Sequence, residues 1–331
     1  MPTITYKGQT MVSKHHCELS DELFHQLKND YYAKPDIETV KQEIRKINEG
    51  GGYKTTAIMN YFIKEIMSKT VLWHCKWSIE DVFDCKDLLS RFVAQTYTND
   101  KVFPPDKPLI KNVETALRIG GKGVAEKPAN FPLKTVDYIL NKYNVNNWWC
   151  DYSCGWGSRL LGALKNNINY FGTDPNYILC DKLNELSNLY KETISTCTAN
   201  IDIHCCGSEE YIDKYKGKIG MAFSSPPYFN LEDYKIGNQS WKEGLSYQEW
   251  LDGYMTQTIK NVHTYLIDNG YFLMNINNFK EFDLVRNVRT IAENNGFTYV
   301  TTETLNNIKR CNMFGDLNDN SEGIMVFRKK G

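Results

Sequence analysis

Apolar residues recur at helical spacing through the first third of the chain. Ile37, Val40, Ile44 and Ile47 return every three or four positions, which predicts a helix over 36–48. The same spacing runs from Ala57 to Ile66 and from Ile79 to Phe92. Two looser segments follow: KVFPPDKPLIKN (101–112) has three prolines and IGGKGVAEKPAN (119–130) three glycines, and both read as linkers. Beyond residue 130 the texture alternates. Strands fit 147–152, 168–173, 201–206, 219–224, 271–276, 297–304 and 323–328, and helices fit 134–143, 158–165, 247–266 and 282–293, with another after Asp174. Strands alternating with helices imply a mostly parallel sheet covered on both faces. Such sheets bind ligands at the carboxyl ends of their strands, so the turns there are where chemistry belongs.

Hydrophobic residues make up 41% of the 331 and charged residues 24%, which excludes disorder as the main state. Lys plus Arg is 39 against 40 for Asp plus Glu, a net charge of −1. A protein that coats nucleic acid by bulk charge is thereby excluded, but an enzyme with a local basic cleft is not. The ten cysteines form no CxxC pair and no export signal is visible, so they read as free thiols in a reducing compartment. No apolar run reaches the roughly 18 residues of a membrane helix. The expectation is a soluble, cytoplasmic protein of a bacterial or phage-infected cell.

Four turns carry candidate chemistry. Asp151-Tyr152-Ser153-Cys154-Gly155-Trp156-Gly157-Ser158 leaves a strand and opens a helix. Gly155 and Gly157 let backbone approach a ligand closely, and Asp151 offers a carboxylate for an ammonium group. Asp174, at the end of the next strand, suits ribose hydroxyls or a helix N-cap. Ser208, after the third strand, suits an adenine edge or a helix cap. Ser225-Pro226-Pro227-Tyr228-Phe229 closes the fourth strand. Pro226 and Pro227 fix the backbone and bring no N–H, which leaves carbonyls to accept from an incoming amine. Ser225 adds a side-chain acceptor, and Tyr228 and Phe229 add flat faces.

Together these residues resemble the S-adenosylmethionine-dependent amino-methyltransferases that act on exocyclic amines of nucleobases. Asp151 to Ser158 is similar to their cofactor motif DPFCGSGT, with Tyr152 and Ser153 in place of proline and phenylalanine. Ser225 to Tyr228 is similar to their catalytic motif [DNS]PP[YF]. Asn130-Phe131-Pro132 resembles the upstream motif that lines the cofactor pocket. GWGSRLLGAL followed by SSPPYFNLEDY and a later QS resembles a group of DNA methylases common in phages and mobile elements. The likeness spans residues 126–331.

What the resemblance implies is an α/β fold with a Rossmann-like seven-stranded methyltransferase sheet, mostly parallel with helices on both faces. Residues 126–331 would form that domain, behind a mainly helical region, residues 1–125, that serves target recognition. The cofactor would be S-adenosylmethionine, held by Phe131, Asp151, Cys154, Gly155, Gly157, Asp174 and Ser208, with no metal. Ser225, Pro226, Pro227 and Tyr228 would be catalytic. The substrate would be DNA, with a flipped-out base methylated at cytosine N4 ahead of adenine N6, as SPPY is the more usual motif for cytosine. A guanine-N2 RNA enzyme, a protein glutamine-N5 enzyme and an inactive binding module are the competing readings. A homodimer or a partner nuclease is compatible with the sequence. The loop 229–244, with Tyr234, Lys235, Gln239, Trp241 and Lys242, is expected to support the displaced strand or cover the base. His74 and Cys75 fit no common zinc spacing. Lys309 and Arg310 suit phosphate contacts.

Overall fold

The computed structural model describes residues 2–143, 145, 147–236, 238–279, 282–304 and 323–331. The segment with Lys309 and Arg310 lies outside them. The chain forms two compact units: residues 1–36, 63–129 and 232–235 make one, and residues 37–62, 130–231 and 236–331 the other.

The larger unit is built on a seven-stranded sheet. Its strands are β1 (Trp148–Asp151), β2 (Tyr170–Thr173), β3 (Ile201–His204), β4 (Ile219–Ser224), β5 (Leu266–Ile276), β6 (Phe297–Thr304) and β7 (Gly323–Lys329). The order across the sheet is β6-β7-β5-β4-β1-β2-β3. β7 runs antiparallel to both its neighbours, and the pairs β1–β2, β2–β3, β1–β4 and β4–β5 are parallel. This is a mostly parallel, Rossmann-like sheet with one antiparallel strand, β7. The central strands read as continuous apolar runs because both faces are covered: Trp149, Phe171, Ala222, Phe223 and Phe272 are buried to completion or nearly so. Successive strands leave β1 to one side as far as β3 and then restart at β4 on the other. The carboxyl ends of β1 and β4 therefore flank the topological switch point, where a ligand crevice forms.

The helices of this unit are α1 (Ile37–Asn48), α2 (Thr56–Phe62), α3 (Leu133–Tyr143), α4 (Ser158–Lys165), α5 (Tyr177–Thr193), α6 (Tyr247–Trp250), α7 (Thr256–Tyr265) and α8 (Leu284–Asn294). α1 and α2 pack on α5, so the apolar stripe over 36–48 completes the sheet's cover. The single helix expected over 247–266 is split by a π-helical turn, Leu251–Met255. β5 starts five residues earlier than the pattern predicts. Asn269 takes a left-handed φ of 61° and the register with β4 shifts there, so the strand absorbs a bulge that alternation does not reveal.

In the smaller unit a hairpin pairs Thr3–Tyr6 with Gln9–Val12 through Lys7 and Gly8, both at positive φ. Helices Asp21–Tyr32, Ile79–Asp84, Lys86–Thr96 and Leu109–Gly120 share a core with Ile4, Leu27, Trp77, Phe83, Phe92 and Val113. The segments read as linkers are structured. Pro108 stands at the N-cap of the helix Leu109–Gly120, where a proline is tolerated, and Phe103, Val124 and Ala125 are buried. The stretch 79–92 is two helices, broken at Cys85, whose backbone is extended. Glu232–Asp233 pairs with Val71–Leu72. Among the described residues no helix is long and apolar enough to cross a membrane.

Candidate active site

The glycine turn after β1 stands on a buried ion pair. Asp151 is fully buried, and its Oδ2 accepts from Arg159 Nε at 2.9 Å and from the Tyr170 hydroxyl at 2.7 Å. Burial opposes the Arg159 charge, but Asp151 together with Tyr170 and Cys154 more than offsets it, and the guanidinium's pKa is raised. Arg159 Nη2 also donates to the Ser153 carbonyl and lies 3.4 Å from Ser224 Oγ. Asp151 Oδ1 is buried with no hydrogen-bond partner among the described residues. One oxygen of the carboxylate expected to hold an ammonium group is thus taken internally, and the other is buried without a partner among the described residues.

The turn's shape needs its glycines. Gly157 precedes α4 with φ 84°, and a Cβ there would come within 2.8 Å of Leu183 Cδ2. Cys154 is buried, its Sγ 2.4 Å from where a Gly172 Cβ would sit, and burial pushes its thiol pKa well up. Cys154 and Gly172 therefore pack β1's turn directly on β2. Tyr152, in the place of the motif's proline, is a core residue whose hydroxyl donates to the Leu273 carbonyl at 2.8 Å.

Asp174 meets this turn. Its Oδ1 accepts the Asn176 N–H at 3.0 Å, and the Gly155 N–H faces the same carboxylate. Burial pushes its pKa up to about 6 against the pull of those two N–H groups. The N-cap of α5 is Asn176, which accepts from Leu179 N, so Asp174 is not engaged in capping. Phe131 stacks edge-on against Phe223 at 5.5 Å, with the Arg159 guanidinium 5.7 Å from its ring centre.

At the third turn the Ser208 hydroxyl bonds Thr258 Oγ1 at 2.7 Å, and the short 3-10 helix that follows, Asp213–Tyr215, has Ile212 at its N-cap, so Ser208 does not cap it. The polar atom left over is Glu209 Oε2, buried and without a partner among the described residues. Burial raises this carboxyl's pKa. Tyr254, carried by the π-turn, places its hydroxyl 3.3 Å from Ser153 Oγ and also bonds Ser208. It links the first and third turns, and π-turns recur at such places.

The fourth turn abuts the first: Ser224 Oγ donates to the Ser153 carbonyl at 3.1 Å. Ser225 and Pro227 are half-buried, and Pro226 and Tyr228 are buried. Asn275 Nδ2 donates to Ser225 Oγ at 3.1 Å, and the Tyr228 hydroxyl donates to the Asn275 carbonyl at 3.1 Å. Phe229 is a core residue at φ 50° rather than a free flat face. It packs on Trp241, Tyr247, Trp250 and Phe282. Trp241 of the following loop is likewise packed rather than projecting, and Asn238 Nδ2 of that loop donates to the Pro175 carbonyl at 2.9 Å.

Residues 219–331 match the N6/N4-methyltransferase family model, described as DNA methylase. The match begins at the first residue of β4 and contains the Ser225–Tyr228 bend. No curated protein matches the chain by sequence. Among solved structures, a TehB-like SAM-dependent methyltransferase from Corynebacterium glutamicum is similar at 14% identity and a TM-score of 0.40, over 59% of this chain and 88% of that one. Magnesium protoporphyrin IX methyltransferase from Synechocystis, solved with SAM bound, is similar at 11% identity and a TM-score of 0.40, over 60% and 79%.

Sequence reading did not single out Arg159, Asn275 or Tyr254. Asn275 carried a signal, a polar residue inside the apolar run Phe272–Ile276. In the smaller unit His74, Cys75 and Glu126 have ligand-type atoms within 4.8 Å of one another. His74 Nε2 lies 2.7 Å from Glu126 Oε2, a direct hydrogen bond that accounts for two of the three.

Proposed function

We propose that the protein methylates the exocyclic amino group of a DNA base, cytosine N4 ahead of adenine N6, with S-adenosylmethionine as methyl donor. The observation that carries this is the junction of the bend with the glycine turn, Ser224 Oγ on the Ser153 carbonyl with Arg159 beside both. A bend that grips an amine is useful only beside the group that alkylates it.

The residues present fit the cofactor. Asp174 is a carboxylate at the end of β2 beside the Gly155 N–H, suited to two ribose hydroxyls. Glu209 Oε2 is an orphaned acceptor suited to the adenine amino group. Phe131, Cys154, Gly155, Gly157 and Ser208 would wall the same crevice. Asp151 would act through its hold on Arg159 and the turn. Bound S-adenosylmethionine supplies an electrophilic methyl group, so neither a metal nor a strong base is needed.

The work left to the protein is alignment, and holding a nucleophile in line is worth on the order of 7–11 kcal/mol at best. The lone pair of an exocyclic amine is delocalised into its ring. Ser225 Oγ and the carbonyls at Ser225 and Pro226 would accept the two amine hydrogens and favour a more tetrahedral nitrogen. The same acceptors would stabilise the positive charge that develops there. The methylated nitrogen then loses one proton to water. Tyr228 would bound the base on one side. A base within a duplex must first be flipped out, which costs a few kcal/mol.

Incubation with methyl-labelled S-adenosylmethionine and duplex DNA, followed by mass spectrometry of the nucleosides, tests the reading. N4-methylcytosine is expected. N6-methyladenine would correct the base, and label found only in RNA or protein would overturn DNA as the substrate.

A further inference from the structure

The bend is gripped at both ends by one residue of the neighbouring strand. Asn275, on β5, is 2% exposed. Its side chain donates to Ser225 Oγ at 3.1 Å, and its main-chain carbonyl accepts from the Tyr228 hydroxyl at 3.1 Å. It stands one residue beyond Met274, which pairs with Ser224 at the end of β4. Two prolines between those anchors leave the tetrapeptide little freedom except rotation at its ends. Asn275 removes that freedom at both.

We propose that Asn275 is a positioning residue for amine methylation: it orients the Ser225 hydroxyl and fixes the Tyr228 ring, so that the bend meets the target amine as one rigid body. This rests on the function proposed above. The chemistry of the pair adds a further consequence. With Asn275 Nδ2 donating to it, Ser225 Oγ keeps a lone pair and its own proton for the substrate side. A carboxamide cannot take that proton, so Ser225 works as a neutral hydroxyl and not as the head of a proton relay.

The role separates from ordinary packing by a double-mutant cycle. Asn275→Ala and Ser225→Ala are each expected to lower kcat for methyl transfer by about 10²-fold, the loss that a misplacement of about 1 Å brings. KM for S-adenosylmethionine should stay within about threefold. The double variant should be no slower than the slower single, because Asn275 acts through Ser225. A kcat for Asn275→Ala within threefold of the parent would overturn the proposal, and so would losses that multiply in the double variant. If Asn275→Ala does not fold, Asn275→Asp replaces it in the cycle under the same criterion, since it keeps the shape and removes the donor.

A measurement without turnover separates this claim from the DNA reading. In 15N-labelled protein the Asn275 side-chain NH2 signals, identified by their loss in Asn275→Asp, should shift in Ser225→Ala. If they shift while the parent leaves DNA unmethylated, the substrate assignment falls and the Asn275–Ser225 link stands. If they do not shift, the link itself is refuted.

Discussion

At the end of β1 the turn is built on charge, Asp151 against Arg159, both buried. At the end of β4, one strand away, the bend is held by two neutral hydrogen bonds with Asn275, one donated by its side chain and one accepted by its carbonyl. The contrast follows from what each turn has to do. The glycine turn must keep an open, left-handed backbone against two packed strands, and a guanidinium with donors in a fixed fork can hold several carbonyl and carboxylate oxygens at once. The bend must leave lone pairs for a substrate amine, and a charge fixed on Ser225 itself would compete for them; Arg159 reaches Ser224, the residue before it. One turn is therefore expected to fail in stability when cut, and the other in rate.

The largest effect should come from Arg159→Ala. It strands the Asp151 carboxylate in the core, and removing one partner of a buried pair typically costs about 3–5 kcal/mol. Denaturant unfolding should show this, and Asp151→Asn combined with Arg159→Met should recover more than half of it. A single variant as stable as the parent would mean that the pair does not support the turn.

Next is Ser225→Ala. The lost hydrogen bond should cost stability about 1 kcal/mol or less, while methyl transfer falls about 10²-fold. A large loss of stability with unchanged turnover would reverse the contrast between the two turns. Gly157→Ala should sit between the extremes. A non-glycine residue at φ 84° costs roughly 1–2 kcal/mol, and its Cβ would press on Leu183. Thermal unfolding unaltered by this change would show that the turn relaxes easily.

The contrast also explains what could be read from the chain. The central strands of the larger unit were legible because double burial writes them as apolar runs, and the turns because glycine and proline mark them. Asn275 and Arg159 escaped for one reason: each is a polar residue whose partner lies on another element, dozens of positions away for Ser225 and Asn275. Tyr254 was harder still, since its reach to Ser153 depends on the π-turn, which periodicity at 3.6 residues does not show. In the smaller unit the helix Asp21–Tyr32 was not read, although Ser20 followed by Asp21 and Glu22 marks a cap with acidic residues in the first turn. The short hairpin before it had only Lys7-Gly8 to mark it. The linker readings failed because proline at a helix start and glycine at close packing look, in sequence, like a loose connection.

The smallest expected effect is a titration at the meeting point of β2 and the glycine turn. Asp174 in the fold has a pKa of about 6, above its ordinary value of 3.8, chiefly because it is buried. A raised carboxyl pKa means that the fold holds the proton more tightly than the unfolded chain does. Its contribution thus favours the fold at pH below about 4, fades as pH rises towards 6, and is constant above that. Cofactor binding should run the other way, since ribose hydroxyls donate best to the ionised carboxylate. Affinity for S-adenosylmethionine is expected to rise from pH 5 to 7 and then level. At pH 5 about a tenth of the molecules carry the charge, so the loss there is at most about tenfold. Asp174→Asn, neutral throughout, should bind more weakly at pH 7 and flatten the slope. Calorimetric titrations at pH 5, 6 and 7 decide it. An equal slope in the variant would move the titrating group elsewhere, and would leave the ribose to the backbone of the glycine turn rather than to the carboxylate beside it.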